Sequence, residues 1–403
     1  MHTKPTTKAP LALAIAALLH AATAGAANYG TDLNLTMMPA AGGMGGVGVA
    51  SPQDVGSAVF GNPATLSDFT GTQFMFGATF YSVDVTDTHD GSVTGTAWRD
   101  DSQAGPYLVP NIAVSQSLSD STVLGLGLSV VGGIGSDFRG APGSLNPLAE
   151  VLLFGANAGV GYQVSDNFSV GAAATIAMGL AQVGLSTNTA STSGFGIRGT
   201  LGATYTLGAT RIGGYYRSPL SVDFDNLVQY SASGFHDATI EQPQEVAIGI
   251  SNQSLLDGRL LLEADVIWKN WESAETYEDI YDDQTIFAVG AQLRQGPWRW
   301  RVGYTHAPSP IKSNVGSRIG NIDSLLVGGV TVPMSSALVQ YVQATGAEVV
   351  WEDQISLGLG WDINAHMSLD THVAFALDRS ENIGGTEVDA SAWQLGAALT
   401  WRF

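Results

Sequence analysis

The stretch Trp393-Gln394-Leu395-Gly396-Ala397-Ala398-Leu399-Thr400-Trp401-Arg402-Phe403 decides the fold. Trp393, Leu395, Ala397, Leu399, Trp401 and Phe403 form one series, and Gln394, Gly396, Ala398, Thr400 and Arg402 form the other. One face is large and apolar, the other small or polar. That is the period of a β-strand, whose side chains point to opposite faces in turn. The same alternation runs through Ile355–Trp361, Met367–Leu377, Trp298–Thr305 and Leu124–Val130. No long segment carries a convincing helical period. The pattern predicts fourteen strands, near 72–84, 107–116, 122–134, 150–163, 168–185, 194–207, 209–218, 240–252, 259–270, 285–295, 297–306, 350–362, 366–378 and 391–403.

The connections alternate between short and long. Ser117–Ser121, Ser165–Asn167, Gln295-Gly296 and Ile363–Ala365 are short, whereas 219–239, 271–284 and 307–349 are long. Short turns at one end and long loops at the other are what an outer-membrane barrel shows. The expected fold is therefore all-β, a 14-stranded antiparallel transmembrane β-barrel in the bacterial outer membrane. A Lys or Arg facing lipid at mid-bilayer costs ~2–4 kcal/mol. The face holding Glu263, Asp265, Arg294, Arg299, Arg301, Asp370, His372 and Arg402 is thus the lumen. Trp268, Trp271, Trp298, Trp300, Tyr304, Trp361, Trp393 and Trp401 are candidates for the interfacial aromatic girdles. Phe403, closing an alternating strand, resembles the signal read by the barrel assembly machinery.

Composition agrees. Of 403 residues, 50 are Gly, against a usual ~7%. Charged residues are 13%, about half the usual ~25%. The net charge of −20 argues against a nucleic-acid partner. With no Cys there is no disulfide, thiol catalysis or Cys-based zinc site. Residues 1–26 read as a secretory signal. Lys4 and Lys8 precede the apolar run Leu11–Ala22, and Ala24-Gly25-Ala26 fits the cleavage rule. That run is too short for the ~20 residues of a spanning helix.

Residues 27–71 do not alternate and are rich in Gly, Ala and Met. Left in water they would expose Leu33, Leu35, Met37, Met38, Val47, Val49, Val55 and Phe60. Inside the barrel they would bury these side chains and plug the lumen, which barrels of this size can accommodate. The expected organisation is signal 1–26, lumenal hatch 27–71 and barrel 72–403.

The hatch region also carries a resemblance. Gly45-Gly46-Val47-Gly48-Val49-Ala50, then Asp54, then Asn62-Pro63-Ala64-Thr65-Leu66 resembles the N-terminal hatch of the long-chain fatty acid and aromatic hydrocarbon transporters of the FadL/TodX type. Tyr216-Arg217-Ser218-Pro219-Leu220 is similar to another family segment. So is Val289–Leu293 with Trp300–Tyr304 and Ser309-Pro310-Ile311. The resemblance implies a fourteen-stranded barrel and passive uptake of hydrophobic compounds. Ligand would pass from an external site to a lumenal pocket, then sideways through a gap at a kinked third strand.

Asn62, Pro63 and Ala64 match the hatch motif and would shape it, with no catalytic residue, cofactor or metal required. Gly125, Gly127, Gly132 and Gly133 in the third strand are candidates for the lateral opening, since Gly permits bulges. Gly can equally make room for a plug. Arg217, Lys269, Arg299 and Arg301, with Arg294 and Arg198 on the same lumenal face, could hold the carboxylate of an amphipathic ligand. They could equally pair with Glu263, Asp265 and Asp370, and a neutral hydrocarbon needs no basic anchor. Glu272, Glu275, Glu278, Asp279, Asp282 and Asp283 fall in an external loop, solvated or bridged by divalent cations to lipopolysaccharide. The expected partners are a hydrophobic ligand, outer-membrane lipid and the assembly machinery, with the barrel monomeric. The main alternative is a porin with a wet lumen. A hydrolase lacks a G-x-S-x-G motif, and a structural barrel or adhesin would use its loops.

Overall fold

Period-two alternation from residue 72 onward builds one closed sheet. The computed structural model describes residues 35–186, 189–346 and 350–403. The signal expected at 1–26, and Leu33, lie outside these. Fourteen strands form the wall: β1 Thr72–His89, β2 Tyr107–Ser117, β3 Thr122–Asp137, β4 Pro147–Ser165, β5 Phe168–Leu185, β6 Thr192–Leu207, β7 Thr210–Arg217, β8 Glu245–Leu255, β9 Leu260–Lys269, β10 Gln284–Gln295, β11 Trp298–His306, β12 Asp353–Asn364, β13 Met367–Ile383 and β14 Thr386–Arg402. Each pairs antiparallel with its neighbours, and β14 closes on β1 from Gln73↔Arg402 to His89↔Thr386. Closure leaves no sheet edge, the condition for strands to cross a bilayer. None of the described helices is long and apolar enough to cross one.

The two faces part as the alternation requires. Leu126 and Leu395 are each 54% exposed on the outside. Glu263, Asp265, Arg299, Arg301, Asp370 and His372 are buried inside. Arg294 shares their face but reaches the exposed turn end of β10. Outward aromatics stack in pairs, Trp298 on Trp361 at 5.5 Å and Phe74 on Trp401 at 5.9 Å. Trp271 departs from the girdle expectation. It is fully buried in the loop after β9, edge-on to Tyr277 and Tyr281.

The long-loop end is more ordered than alternation foresees. Strands β1, β3, β13 and β14 run past their expected ends, and β13 turns into β14 at Gly384-Gly385. The segment 219–239 is not a plain loop. Leu220–Gln229 and Phe235–Gln242 form a hairpin, so β8 starts later than the expected residue 240. Within 307–349 lie a second hairpin, Ser324–Val327 with Val330–Pro333, and a helix, Ser336–Thr345. These pieces cap the barrel with apolar side chains.

Inside the wall lies the segment from Leu35 to Phe69. It holds two short helices, α1 Pro39–Gly42 and α2 Val55–Phe60, and a 3-10 turn, Pro63–Asp68. Leu35, Met37, Met38, Val47, Val49 and Val55 are all buried, and Phe60 is partly buried. The helix Ser336–Thr345 of the cap is α3.

Candidate functional site

The inner segment is seated by directional polar bonds to the wall. Asp265 on β9 accepts from the amides of Gly48 at 2.9 Å and Val49 at 3.2 Å. Glu263, two residues earlier on the same face, accepts from Ala50 at 2.8 Å and Ser51 at 3.0 Å. Opposite, Thr79 and Asn111 donate to the Met37 carbonyl at 2.7 and 2.9 Å. Gln394 donates to Thr36 at 3.0 Å, and Ser356 accepts from Gly45 at 2.9 Å. The segment is thus tied to the wall all around the lumen.

Asn62-Pro63-Ala64 sits fully buried in this seat. Asn62 caps the 3-10 turn, its Oδ1 accepting from the Ala64 amide at 3.1 Å. Its Nδ2 donates to the carbonyls of Val49 at 2.8 Å and of Ala203 on β6 at 3.2 Å. Pro63 takes the first position of the turn, where a missing N–H is harmless. Wall glycines let the backbone come this close. A Cβ at Gly202 would collide with Asn62 Oδ1, and one at Gly171 with the Pro63 carbonyl carbon.

Of the basic candidates, Arg217, Lys269, Arg299 and Arg301 sit in ion pairs, while Arg198 is buried on β6 and Arg294 is exposed at the turn end of β10. Arg217 pairs with Glu245 at 3.1 Å and donates to the Phe60 carbonyl at 2.6 Å. Lys269 pairs with the other oxygen of Glu245. Arg301 pairs with Asp370 at 2.7 Å, and Arg299 with Asp362 at 2.9 Å. Glu245 and Asp362 are the acids that sequence reasoning missed, while Glu263 and Asp265 serve the inner segment instead. The external acids tie loops together. Asp283 accepts from the Glu272 amide at 3.0 Å, and Asp279 from Gly320 at 2.7 Å. No group of three metal-ligating side chains is found among the described residues.

The candidate glycines of β3 divide at Ser129. Up to there the strand alternates, Leu124, Leu126 and Leu128 facing out. Gly125 and Gly127 face Val59, Phe60 and Leu66 of the inner segment, where a Cβ would come within 3.0 Å. The β2–β3 ladder runs from Ser117↔Val123 to Asn111↔Ser129. There it stops, one residue from Pro110, which offers no N–H. Val131 is an extra residue against β4, between Val130↔Phe154 and Gly132↔Leu153. A bulge of this kind bends its strand. Ser129 to Ser136, including Gly132 and Gly133, is buried on both faces, so alternation is lost. Above, the wall rejoins through the Gln103 amide donating to the Asp137 carbonyl at 2.8 Å.

Beside that stretch, at the loop ends of β3–β5, is a cavity of about 130 Å³. The hairpin 220–242, the loops 276–281 and 319–334, and α3 enclose it. Ile134 of β3, Leu148, Ile240, Tyr277, Ile322 and Met334 contribute to its lining, in which no side chain is charged. Its apolar packing is continuous with Tyr107, Val109, Val130 and Val131 at the broken ladder. α3 forms part of the roof, Tyr341 standing edge-on to His89 at 5.0 Å. Burial pushes the Tyr341 hydroxyl up to about 12. The helix had a legible signal. Ser335 caps the Leu338 amide at 3.3 Å, and Leu338, Tyr341, Val342 and Thr345 recur at helical spacing. The apolar hairpin at 220–242 had its own, in Val222, Phe224 and Ile240.

Comparison with known proteins agrees with this geometry. Residues 18–207 match the sequence profile of the outer membrane protein transport protein family (OMPP1/FadL/TodX). The fold resembles the Pseudomonas putida toluene transporter TodX, with a TM-score of 0.66 at 16% identity over 92% of this chain and 99% of that one. It also resembles the Ralstonia pickettii toluene transporter TbuX (0.63, 19% identity, 92% and 99% covered). A Pseudomonas aeruginosa FadL homologue is similar (0.64, 16%, 93% and 100%). At such identities the likeness is one of fold. No curated protein matches the sequence. Residues 18–207 thus carry the OMPP1/FadL/TodX profile, and the chain as a whole has the fold of the solved TodX, TbuX and FadL-homologue barrels.

Proposed function

We propose that the protein is a passive outer-membrane channel for small neutral hydrophobic compounds about the size of one aromatic ring. The observation that carries this reading is the uncharged cavity beside the broken β2–β3 ladder. Its volume of about 130 Å³ is near the ~150 Å³ of an engineered apolar cavity that binds benzene. A long-chain acid would overfill it and would find no free base there, since Arg217, Lys269, Arg299 and Arg301 are paired elsewhere. The toluene transporters of similar fold support the same substrate class. Ligand enters the cap, moves along the apolar packing past Ile134 and Val131, and leaves sideways between β2 and β3. Packed side chains fill this route, so passage requires them to move.

The rest of the organisation follows. Residues 1–26 are removed on export, 27–71 act as the hatch, and 72–403 form the barrel. The buried seat around Asn62 supports a sealed lumen over a porin. Outer-membrane lipid surrounds the exposed apolar face, and the alternation of β14 suits the barrel assembly machinery. The acidic external loops face lipopolysaccharide, and the barrel works as a monomer. The test is equilibrium dialysis of labelled toluene and palmitate against the refolded protein, with detergent blanks. Saturable toluene binding with weaker palmitate binding is expected. Palmitate preferred over toluene, or neither bound, overturns the reading.

A further inference from the structure

The cavity holds one polar feature that a plain hydrocarbon would leave unused. Gln343, near the end of α3, is part of its lining and only 4% exposed. Its Nε2 donates to the carbonyls of Ile280 at 2.7 Å and Lys312 at 3.1 Å. Carbonyls accept only, so these two bonds fix which end of the amide is nitrogen. Oε1 is then left with no hydrogen-bond partner among the described residues, at the cavity's edge and closed off from its open space, so a ligand reaches it only as the apolar lining moves aside. The other polar lining groups differ. Thr276 donates to the Thr239 carbonyl at 2.5 Å and Thr345 to the Tyr341 carbonyl at 2.9 Å. Tyr277 and Tyr281 are both engaged.

A buried acceptor without a partner carries the cost of its lost hydration. A ligand that donates to it recovers that cost, and a ligand that cannot does not. A site built around such a group discriminates far better than greasy walls alone. We propose that the cavity selects monoaromatic compounds bearing one hydrogen-bond donor, phenols above all, with Gln343 Oε1 accepting from the ligand hydroxyl. The proposal rests on the reading of the cavity as the ligand site. Gln343 is a specificity residue, and its two bonds across Ile280 and Lys312 hold the acceptor in place. A phenol is neutral at pH 7, so no charge is buried on binding.

The test uses toluene and phenol, which differ by a methyl for a hydroxyl, in equilibrium dialysis against the full refolded protein. Wild type and Gln343→Leu are compared, after heat-modifiable gel mobility has verified that each barrel is folded. The ratio of phenol to toluene dissociation constants is expected to rise about tenfold in the variant, the equivalent of ~1.4 kcal/mol. Toluene binding with an unchanged ratio overturns this inference and leaves the channel reading standing. No binding of either ligand to wild type overturns the channel reading itself. Should Gln343→Leu fail to fold, crystals of wild type soaked in 4-iodophenol decide. The iodine signal orients the ring, and its oxygen should lie about 3 Å from Oε1. An oxygen pointing elsewhere in the cavity contradicts the proposal.

Discussion

The barrel contains two interiors built on opposite principles. Around the inner segment, contact is polar and directional. Asp265 and Glu263 take four backbone amides, the Asn62 side chain makes three hydrogen bonds, and wall glycines bring main chains together. In the cap, contact is apolar, the lining carries no charge, and a cavity of about 130 Å³ remains. Directional bonds have one best geometry, so they suit a seal that must exclude water and ions. Apolar packing tolerates rearrangement at small cost, so it suits a site that admits and passes on greasy molecules. The bent part of β3 lies where the second interior meets the wall.

This contrast can be broken from either side. The largest effect is expected from removing residues 35–69. The lumen should then carry steady ion current in planar bilayers, where the intact protein stays closed. Asp265→Ala tests the seal more gently. It strands the amides of Gly48 and Val49, at about 1–3 kcal/mol each, and should give flickering openings while toluene binding persists. The cap should show the converse. Ala238→Trp puts a large ring into the cavity and should weaken toluene binding by more than ~tenfold, about 1.4 kcal/mol, with conductance still closed. Toluene affinity should be flat from about pH 5 to about pH 9, because the lining has no charged side chain and Tyr341 titrates near 12. Dialysis across that range checks it. The smallest effect belongs to the lipid face. Trp298→Ala removes the stack on Trp361 and should lower barrel stability by about 0.5–1.5 kcal/mol in urea titration, without change in binding.

The same contrast explains what the sequence disclosed. Alternation marks a wall with lipid on one side and a polar lumen on the other, so the strands and their two faces were legible down to Leu126 and Arg301. The buried apolar residues of the inner segment were legible because water could not be their surroundings. The cap was less so, because its hairpins and helix lie between wall strands, where the spacing reads as loop, and the wall strand beneath them loses its period. Ser129–Ser136 illustrates this directly: β3 continues, but its alternation ends. Trp271 was misplaced for the same reason, since an aromatic near a strand end suits a girdle or a cap equally. The partners of the basic residues were only half legible. Glu245 faces Arg217 and Lys269 across neighbouring strands, and that needs the register of β7, β8 and β9 rather than the composition of any one.

The most direct test of the account is uptake of labelled toluene by cells carrying the wild-type barrel or one lacking Val131, with bilayer conductance measured on the same proteins. Deleting Val131 removes the extra residue that bends β3. The account predicts uptake by wild type without ion current. In the deletion it predicts much reduced uptake, with toluene still bound in the cap. Undiminished uptake by the folded deletion variant, or wild-type uptake that always accompanies steady ion current, would contradict it.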